Sequence, residues 1–285
     1  MSGLVHPRAN DHRSQGVPTD SETPFSFRIE TVHETGSTNA DLVVRAATGE
    51  PGGLVLRADH QTAGRGRLGR RWGAPPGTNL LFSVVVRPGW PVERLPLVTS
   101  CLAVALVDAL VPLLEAATAE VTAMVKWPND VLLVDRRSGE RVGKVAGVLA
   151  ELVTEPRVGS VSPAVVVGMG VDVAWPGPGD DAPPGAVSLA GVGVVVEPAS
   201  LLDRVLEAFG DWLEALGGPA GPATLRAAHL ERSATVGRPV RAERIGGDLV
   251  GTAINVGIDG ALVVATDDGS TVEVLAGDVV HLWTD

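Results

Sequence analysis

Between Gly64 and Arg71 the chain sets four arginines and three glycines into eight residues, and Trp72 closes the run. The formal net charge of the whole chain is −11, so this positive charge is local rather than general. Guanidinium groups on a backbone that a ligand can approach closely suit a phosphate or a carboxylate. The spacing Gly64-x-Gly66-x-x-Gly69 also matches the dinucleotide-binding fingerprint. That fingerprint needs a strand before it, a helix after it and an acidic residue about twenty positions on. A strand-like run, residues 53–59, does precede the loop. Gly73-Ala-Pro-Pro-Gly77 and a second strand-like run, 80–87, follow it, with no carboxylate between Asp59 and Glu93. The context excludes the dinucleotide reading. A solvated basic hairpin tip is the plain alternative for such a loop.

Of the 23 basic residues only two are lysines, Lys126 and Lys144. A chain so biased toward arginine can keep lysine where a compact point charge is needed and a planar fork will not serve. Lys126 opens Lys126-Trp-Pro-Asn129-Asp130, where Pro128 should break a strand and expose the polar residues at a bend. Lys144 lies in a strand-like run with Gly147 and Glu151. Earlier in the chain, Thr38 with Asp41 resembles a capping box opening a helix over 41–47, the ordinary use of such hydroxyls.

The elements that must position these groups are mixed. The 285 residues are 45% hydrophobic, enough for one large core and a smaller one. Residues 1–25 lack periodicity and read as a flexible tail without a signal-peptide core. Strand-like runs at 25–32, 53–59, 80–87, 121–125, 131–134, 142–153 and 163–171 alternate with helical patterns at 95–117 and 201–216. Pro112 is expected to kink or split the first of these helices. After residue 232 five short β runs separated by Gly-rich turns predict a small barrel. The fold class is therefore α+β, with a domain at 26–232 and a second at 233–285. The barrel sets three arginines against eight carboxylates, which argues against unaided nucleic-acid binding. No apolar run is taken as long enough for a bilayer, where about twenty residues are needed, and the lone Cys101 reads as a buried thiol in a reducing cytoplasm.

In chain order, Ser37-Thr38-Asn39, the Gly64–Trp72 loop, Lys126–Asp130 and Lys144–Glu151 resemble the corresponding segments of biotin protein ligases. The resemblance runs from about residue 30 to the C-terminus. It implies a catalytic domain like that of class II aminoacyl-tRNA synthetases, a mixed or antiparallel sheet with helices, followed by an SH3-like barrel. It implies ATP, biotin and Mg2+, and a two-step reaction. The biotin carboxylate attacks the α-phosphorus of ATP to give biotinyl-5′-AMP and pyrophosphate, and a lysine of a biotin carboxyl carrier domain then takes the acyl group. The carrier would belong to an acyl-CoA or pyruvate carboxylase.

By the same resemblance Arg67 and Lys144 are catalytic, meeting the biotin carboxylate where negative charge builds up. Ser37, Thr38, Asn39, Gln61, Gly64, Arg65 and Gly147 join them around biotin. Arg65, Arg67, Arg70, Trp72, Lys126 and Asn129 are expected at the nucleotide, and Asn129 with Asp130 at Mg2+. Plain packing remains an alternative for Trp72 and Gly147, and an acid partner for Lys126. Two departures stand out. Only about thirty residues precede the first motif, so a ligase without operator binding is expected. Asp172 stands where the family usually has Asn. Oligomeric state, monomer or weak homodimer, is left open. A lipoate-protein ligase on the same fold, and a non-catalytic RNA- or nucleotide-binding module, are the competing readings. Arg232, outside the motifs, offers itself as a comparison for Arg67.

Overall fold

Runs rich in Val, Leu and Ala, several of them buried on both faces, give a seven-stranded sheet, because β-branched and aliphatic side chains pack well on a pleated, buried surface. The computed structural model of the protein describes residues 25–154, 163–244, 246–275 and 277–282. The expected N-terminal tail therefore lies outside the described residues, Phe25 excepted, and so does Trp283 of the last expected strand. The strands are β1 (Arg28–Thr35), β2 (Leu54–Gln61), β3 (Leu80–Val86), β4 (Val121–Lys126), β5 (Asp130–Asp135), β6 (Arg141–Val153) and β7 (Ala164–Val171). Their order is β1-β2-β3-β7-β6-β5-β4, parallel between β1 and β2 and antiparallel elsewhere.

The helices are α1 (Thr38–Ala47), α2 (Leu97–Ala116), α3 (Pro198–Gly217) and α4 (Gly221–Glu231). Alternation along β7 divides the layers. Val166 packs with Leu42 and Ala46 of α1, whereas Val165, Val167 and Met169 join the main core under α2 and α3. Gly168 and Gly170 continue the α1 face, and the functional residues gather there.

Several expectations need correction. Helix α1 begins at Thr38, not Asp41, and Ser37 rather than Thr38 is its N-cap, accepting from the Ala40 amide. Helix α2 runs through Pro112 as one element instead of splitting there. It is also, at 20 residues and mean hydropathy 2.3, long and apolar enough by composition to cross a membrane. Most of its residues are buried against sheet and helices, so its all-round apolarity is that of a core helix. Cys101 sits in it at 0% exposure, and burial pushes its thiol well above the ordinary range. Helix α4 was not anticipated, since it has no clear apolar stripe.

The C-terminal strands β8 (Pro239–Glu243), β9 (Leu249–Val256), β10 (Leu262–Ala265), β11 (Thr271–Val274) and β12 (Asp278–His281) pair antiparallel in the order β11-β10-β9-β8-β12. The expected barrel is thus a five-stranded antiparallel sheet. Trp127 belongs to its core with Val240, Val256 and Leu262, and donates from Nε1 to the Gly260 carbonyl at 2.9 Å.

His229 of α4 is 2% exposed, with Ser100 Oγ of α2 at 2.7 Å from Nδ1. Burial lowers its pKa from 6.5 to about 4. The unfolded chain therefore binds the extra proton between pH 6.5 and pH 4, and stability must fall as pH drops through that window. Urea unfolding at pH 5 is expected to read about 2 kcal/mol less from this residue than at pH 7.5. His281, lowered in the same direction, adds to the fall. His229→Gln should flatten its own share, and an unchanged slope in that variant would remove this account.

Candidate active site

The polar end of the site begins under α1. Gln61 Oε1 accepts from the Thr38 amide at 2.8 Å and stands 3.1 Å from its hydroxyl. Thr38 Oγ1 and Ser83 Oγ are 2.7 Å apart, and Ser83 donates to Asn39 Oδ1 at 2.6 Å. Asn39 Nδ2 donates to Glu151 at 2.9 Å, and Glu151 also takes Arg65 at 2.8 Å. The donors point one way as far as Glu151, which accepts from both sides, so a chain of hydrogen bonds links the Thr38 hydroxyl to the arginine loop. Gly168 makes room for it, since a Cβ there would lie 2.1 Å from Asn39 Oδ1.

The loop folds as a small hairpin. Gly66 N–H donates to the Arg70 carbonyl and Trp72 N–H to the Gly64 carbonyl, around a turn with Leu68 at φ 55°. Gly64 serves this hairpin: a Cβ on it would stand 2.2 Å from the Trp72 carbonyl oxygen. Carboxylates hold the arginines down. Arg65 meets Glu151, while Arg70 reaches Asp278 of β12 at 2.5 Å. Arg67 donates to Asn129 Oδ1 and to the Gly277 carbonyl, both at 3.0 Å.

At the centre Lys144 Nζ lies 2.6 Å from Asp130 Oδ1 and 5.3 Å from the centroid of the Trp72 ring, a cation–π distance. Lys126 stands 3.7 Å from the other oxygen of Asp130, and burial lowers its pKa despite that carboxylate. The indole lies on two glycines that are register partners, Gly147 of β6 and Gly170 of β7. Its Nε1 is buried without a partner. These groups line one cavity of about 300 Å3. It holds every residue expected at biotin or nucleotide except Gly64. Sequence reasoning named no role for Ser83, Glu151, Gly170, Arg141, Trp175 or Asp278, which also line it or hold its walls.

The expected Mg2+ pair does not fit a metal in this arrangement. Both ends of the Asn129 amide are engaged, Oδ1 by Arg67 and Nδ2 by the Val148 carbonyl at 2.9 Å, and Asp130 faces two ammonium groups. Among the described residues no group of three or more His, Cys, Asp or Glu could hold a metal ion.

Comparison with known proteins places this arrangement. Residues 33–172 match the Biotin/lipoate A/B protein ligase family, and residues 235–282 match the Biotin protein ligase C terminal domain. The biotin–[acetyl-CoA-carboxylase] ligase of Mycobacterium tuberculosis is 41% identical over 263 residues, covering 90% of this chain and 89% of that one. The chain belongs to the biotin protein ligase family. A second ligase of the same name, from Paracoccus denitrificans, is 36% identical over 244 residues, 84% of this chain and 94% of that protein. Among solved structures, the biotin protein ligase from Aquifex aeolicus in complex with biotin and ATP superposes with a TM-score of 0.71 at 25% identity, covering 90% of this chain and 99% of that one. The sheet and helices described above are thus the biotin protein ligase fold, and the C-terminal sheet is the domain that family carries after it.

Proposed function

We propose that this protein joins biotin to a lysine of a carboxylase carrier protein through biotinyl-5′-AMP, consuming ATP. One observation supports this above the others: four segments spread from Ser37 to Glu151 meet around a single cavity, with Lys144 at its centre. The polar end, where Thr38, Asn39, Gln61 and Ser83 offer donors and acceptors, suits the ureido ring of biotin. The fused thiophane ring and the apolar valerate chain would then run toward Lys144. There an ammonium group stands where the biotin carboxylate would meet the α-phosphate, and anion on anion needs such a charge. Arg67 and Arg65 bound the same space from the loop. The loop, fastened by Glu151 and Asp278, covers the cavity and would shield the acyl phosphate from water. The nucleotide would take the rest of the cavity, beyond Trp72.

The carrier lysine would attack the acyl carbon and release AMP; acyl-CoA and pyruvate carboxylase carriers are the proposed partners, in the cytoplasm where ATP and reduced Cys101 belong. The two sheets, each with a core of its own, support a domain division at 232, with Trp127 reaching into the second core. The net charge of −11 disfavours DNA as a partner.

The deciding experiment is ATP–pyrophosphate exchange with biotin, run beside lipoate. Exchange with biotin alone is expected. Exchange with lipoate instead would overturn the substrate, and none with either would overturn the reaction.

Arg67→Ala should lower this exchange by about ten- to a hundredfold, since it removes a charge-assisted donor and unties the loop from Gly277. Trypsin should then cut the loop faster. Arg232 is a poor comparison, because its Nε donates to Asp108 at 2.7 Å and ties α4 to α2. Arg137, whose side chain is 81% exposed, is the better one, and equal activity in Arg67→Ala and Arg137→Ala would sink the role of Arg67.

A further inference from the structure

The Arg67–Asn129 hydrogen bond has a second cavity behind it, of about 500 Å3. Arg67, Pro128, Asn129, Val148 and Leu149 line both cavities, so one wall separates them. From that wall the second cavity runs out between two elements that the active site does not otherwise use. On one side is the first turn of α2 with Leu97 and Ser100, and on the other the turn between β9 and β10 with Asp259 and Gly260. Trp127 lines it as well, and its bond to the Gly260 carbonyl holds that turn against the Lys126–Asp130 bend. The charges are unevenly placed. Glu93 and Asp259 are exposed at the outer end, and among the described residues neither has an ion-pair partner. Arg67, at the shared wall, is the only positive charge among the described lining residues; His229 stays neutral, because burial lowers its pKa to about 4. Between these ends the walls are mainly apolar, with Leu97, Trp127, Val148, Val256 and Leu275.

We infer that this second cavity is the entrance for the acceptor lysine, and that the carrier domain docks its lysine-bearing turn between α2 and the C-terminal sheet. The inference rests on the proposed function and adds the acceptor's route to it. A lysine side chain is an apolar stem with a charged tip, and the passage offers apolar walls behind an acidic mouth. The unpaired carboxylates draw the ammonium group in. In that form it cannot attack, because the proton holds the nitrogen lone pair. An apolar passage that ends beside a guanidinium disfavours the charged form twice, by desolvation and by like charge. The lysine therefore reaches the shared wall as a neutral amine. There the nitrogen bonds to the acyl carbon, the bond from that carbon to the phosphate oxygen breaks, and its electron pair leaves with AMP. The surplus proton on nitrogen passes to water. Biotin and nucleotide occupy the other cavity, so the acceptor arrives without displacing either.

The test separates the two half-reactions. Pyrophosphate exchange needs no carrier. Transfer is read with the unbiotinylated carrier domain of an acetyl-CoA carboxylase and, in parallel, with hydroxylamine, a small uncharged nucleophile that needs no docking. In Glu93→Lys/Asp259→Lys, exchange and transfer to hydroxylamine should stay within about twofold of the wild type. Transfer to the carrier should lose roughly tenfold or more in kcat/KM, and added salt should no longer slow it as it slows the wild type. Leu275→Trp, at a position 76% exposed, narrows the passage without entering a core, and should slow carrier transfer while sparing the other two readings. If the charge-reversed variant proves misfolded, Leu275→Trp decides alone. Carrier transfer at the wild-type rate in either folded variant, or an equal loss with hydroxylamine, would overturn the inference and leave the ligase reading intact. A change confined to self-association, read by sedimentation, would overturn it too and make this face an interface between copies of the chain. Absence of exchange with biotin in the wild type would instead overturn the reading on which it rests.

Discussion

Lys144→Ala is expected to slow biotin-dependent pyrophosphate exchange by about 10²–10³-fold, the loss typical of removing one preorganised group from developing negative charge. The ammonium is held from two sides, by Asp130 at 2.6 Å and by the face of Trp72 at 5.3 Å. Its side chain is still 31% exposed, so it remains open to the cavity. Because the ion pair is partly solvated, losing it should lower stability by only about 1 kcal/mol. Rate and stability therefore separate. Removing Asp130 as well, in Lys144→Ala/Asp130→Ala, takes away the carboxylate then left with Lys126 alone at 3.7 Å and should not recover exchange. Recovery of exchange in that double variant would mean that Lys144 serves only to neutralise Asp130. Lys144→Arg should remain impaired, since a guanidinium is a wide fork where a point charge now fits between Asp130 and the indole.

Much of this site was legible because its chemistry needs particular residue types close together in the chain. Arginines on a glycine backbone, two lysines in a chain otherwise given to arginine, and hydroxyls beside a helix start are all local signals. Their partners are not local. Glu151 meets Arg65 across 86 residues and Asn39 across 112, and Gly277 meets Arg67 across 210. No periodicity or spacing reports a pairing made by the third dimension.

The same limit explains the fold. Strand-like apolar runs located all seven strands of the large sheet, while α4, without an apolar stripe, passed unread. Helix α2 was recognised but misjudged at Pro112, because tertiary packing on both sides supports a helix that local propensity would break. Trp127 was visible only as part of a motif; its indole is a core residue of the C-terminal sheet, so that motif joins the two cores as well as lining the cavity. Gly64 is read in the sequence for ligand approach, whereas the Trp72 carbonyl requires it, and Gly168, given no role there, is required by Asn39.

Gly170→Ala should be among the most damaging small changes in this site, costing more than a hundredfold in exchange with about 1–3 kcal/mol of stability. A Cβ at this position would stand 2.3 Å from Trp72 Nε1 and 2.4 Å from Cε2, well inside contact distance. The indole has nowhere easy to go. Its backbone is fixed by the bond from Trp72 N–H to the Gly64 carbonyl, and Gly64 itself is pressed against the Trp72 carbonyl. Lys144 covers the ring on one side, and Gly147, the register partner of Gly170, supports it on the other strand. Lifting the ring would therefore displace Lys144 and the end of the arginine loop together, which is why one methyl group should reach both charge and closure. Gly147→Ala is milder by the same geometry, its nearest neighbour being the movable Lys144 Nζ at 3.1 Å. A double-mutant cycle isolates the cause. With the indole removed, the stability penalty of Gly170→Ala measured in Trp72→Ala should nearly vanish. An undiminished penalty in that background, or wild-type exchange in Gly170→Ala alone, would show that the indole does not need this glycine floor.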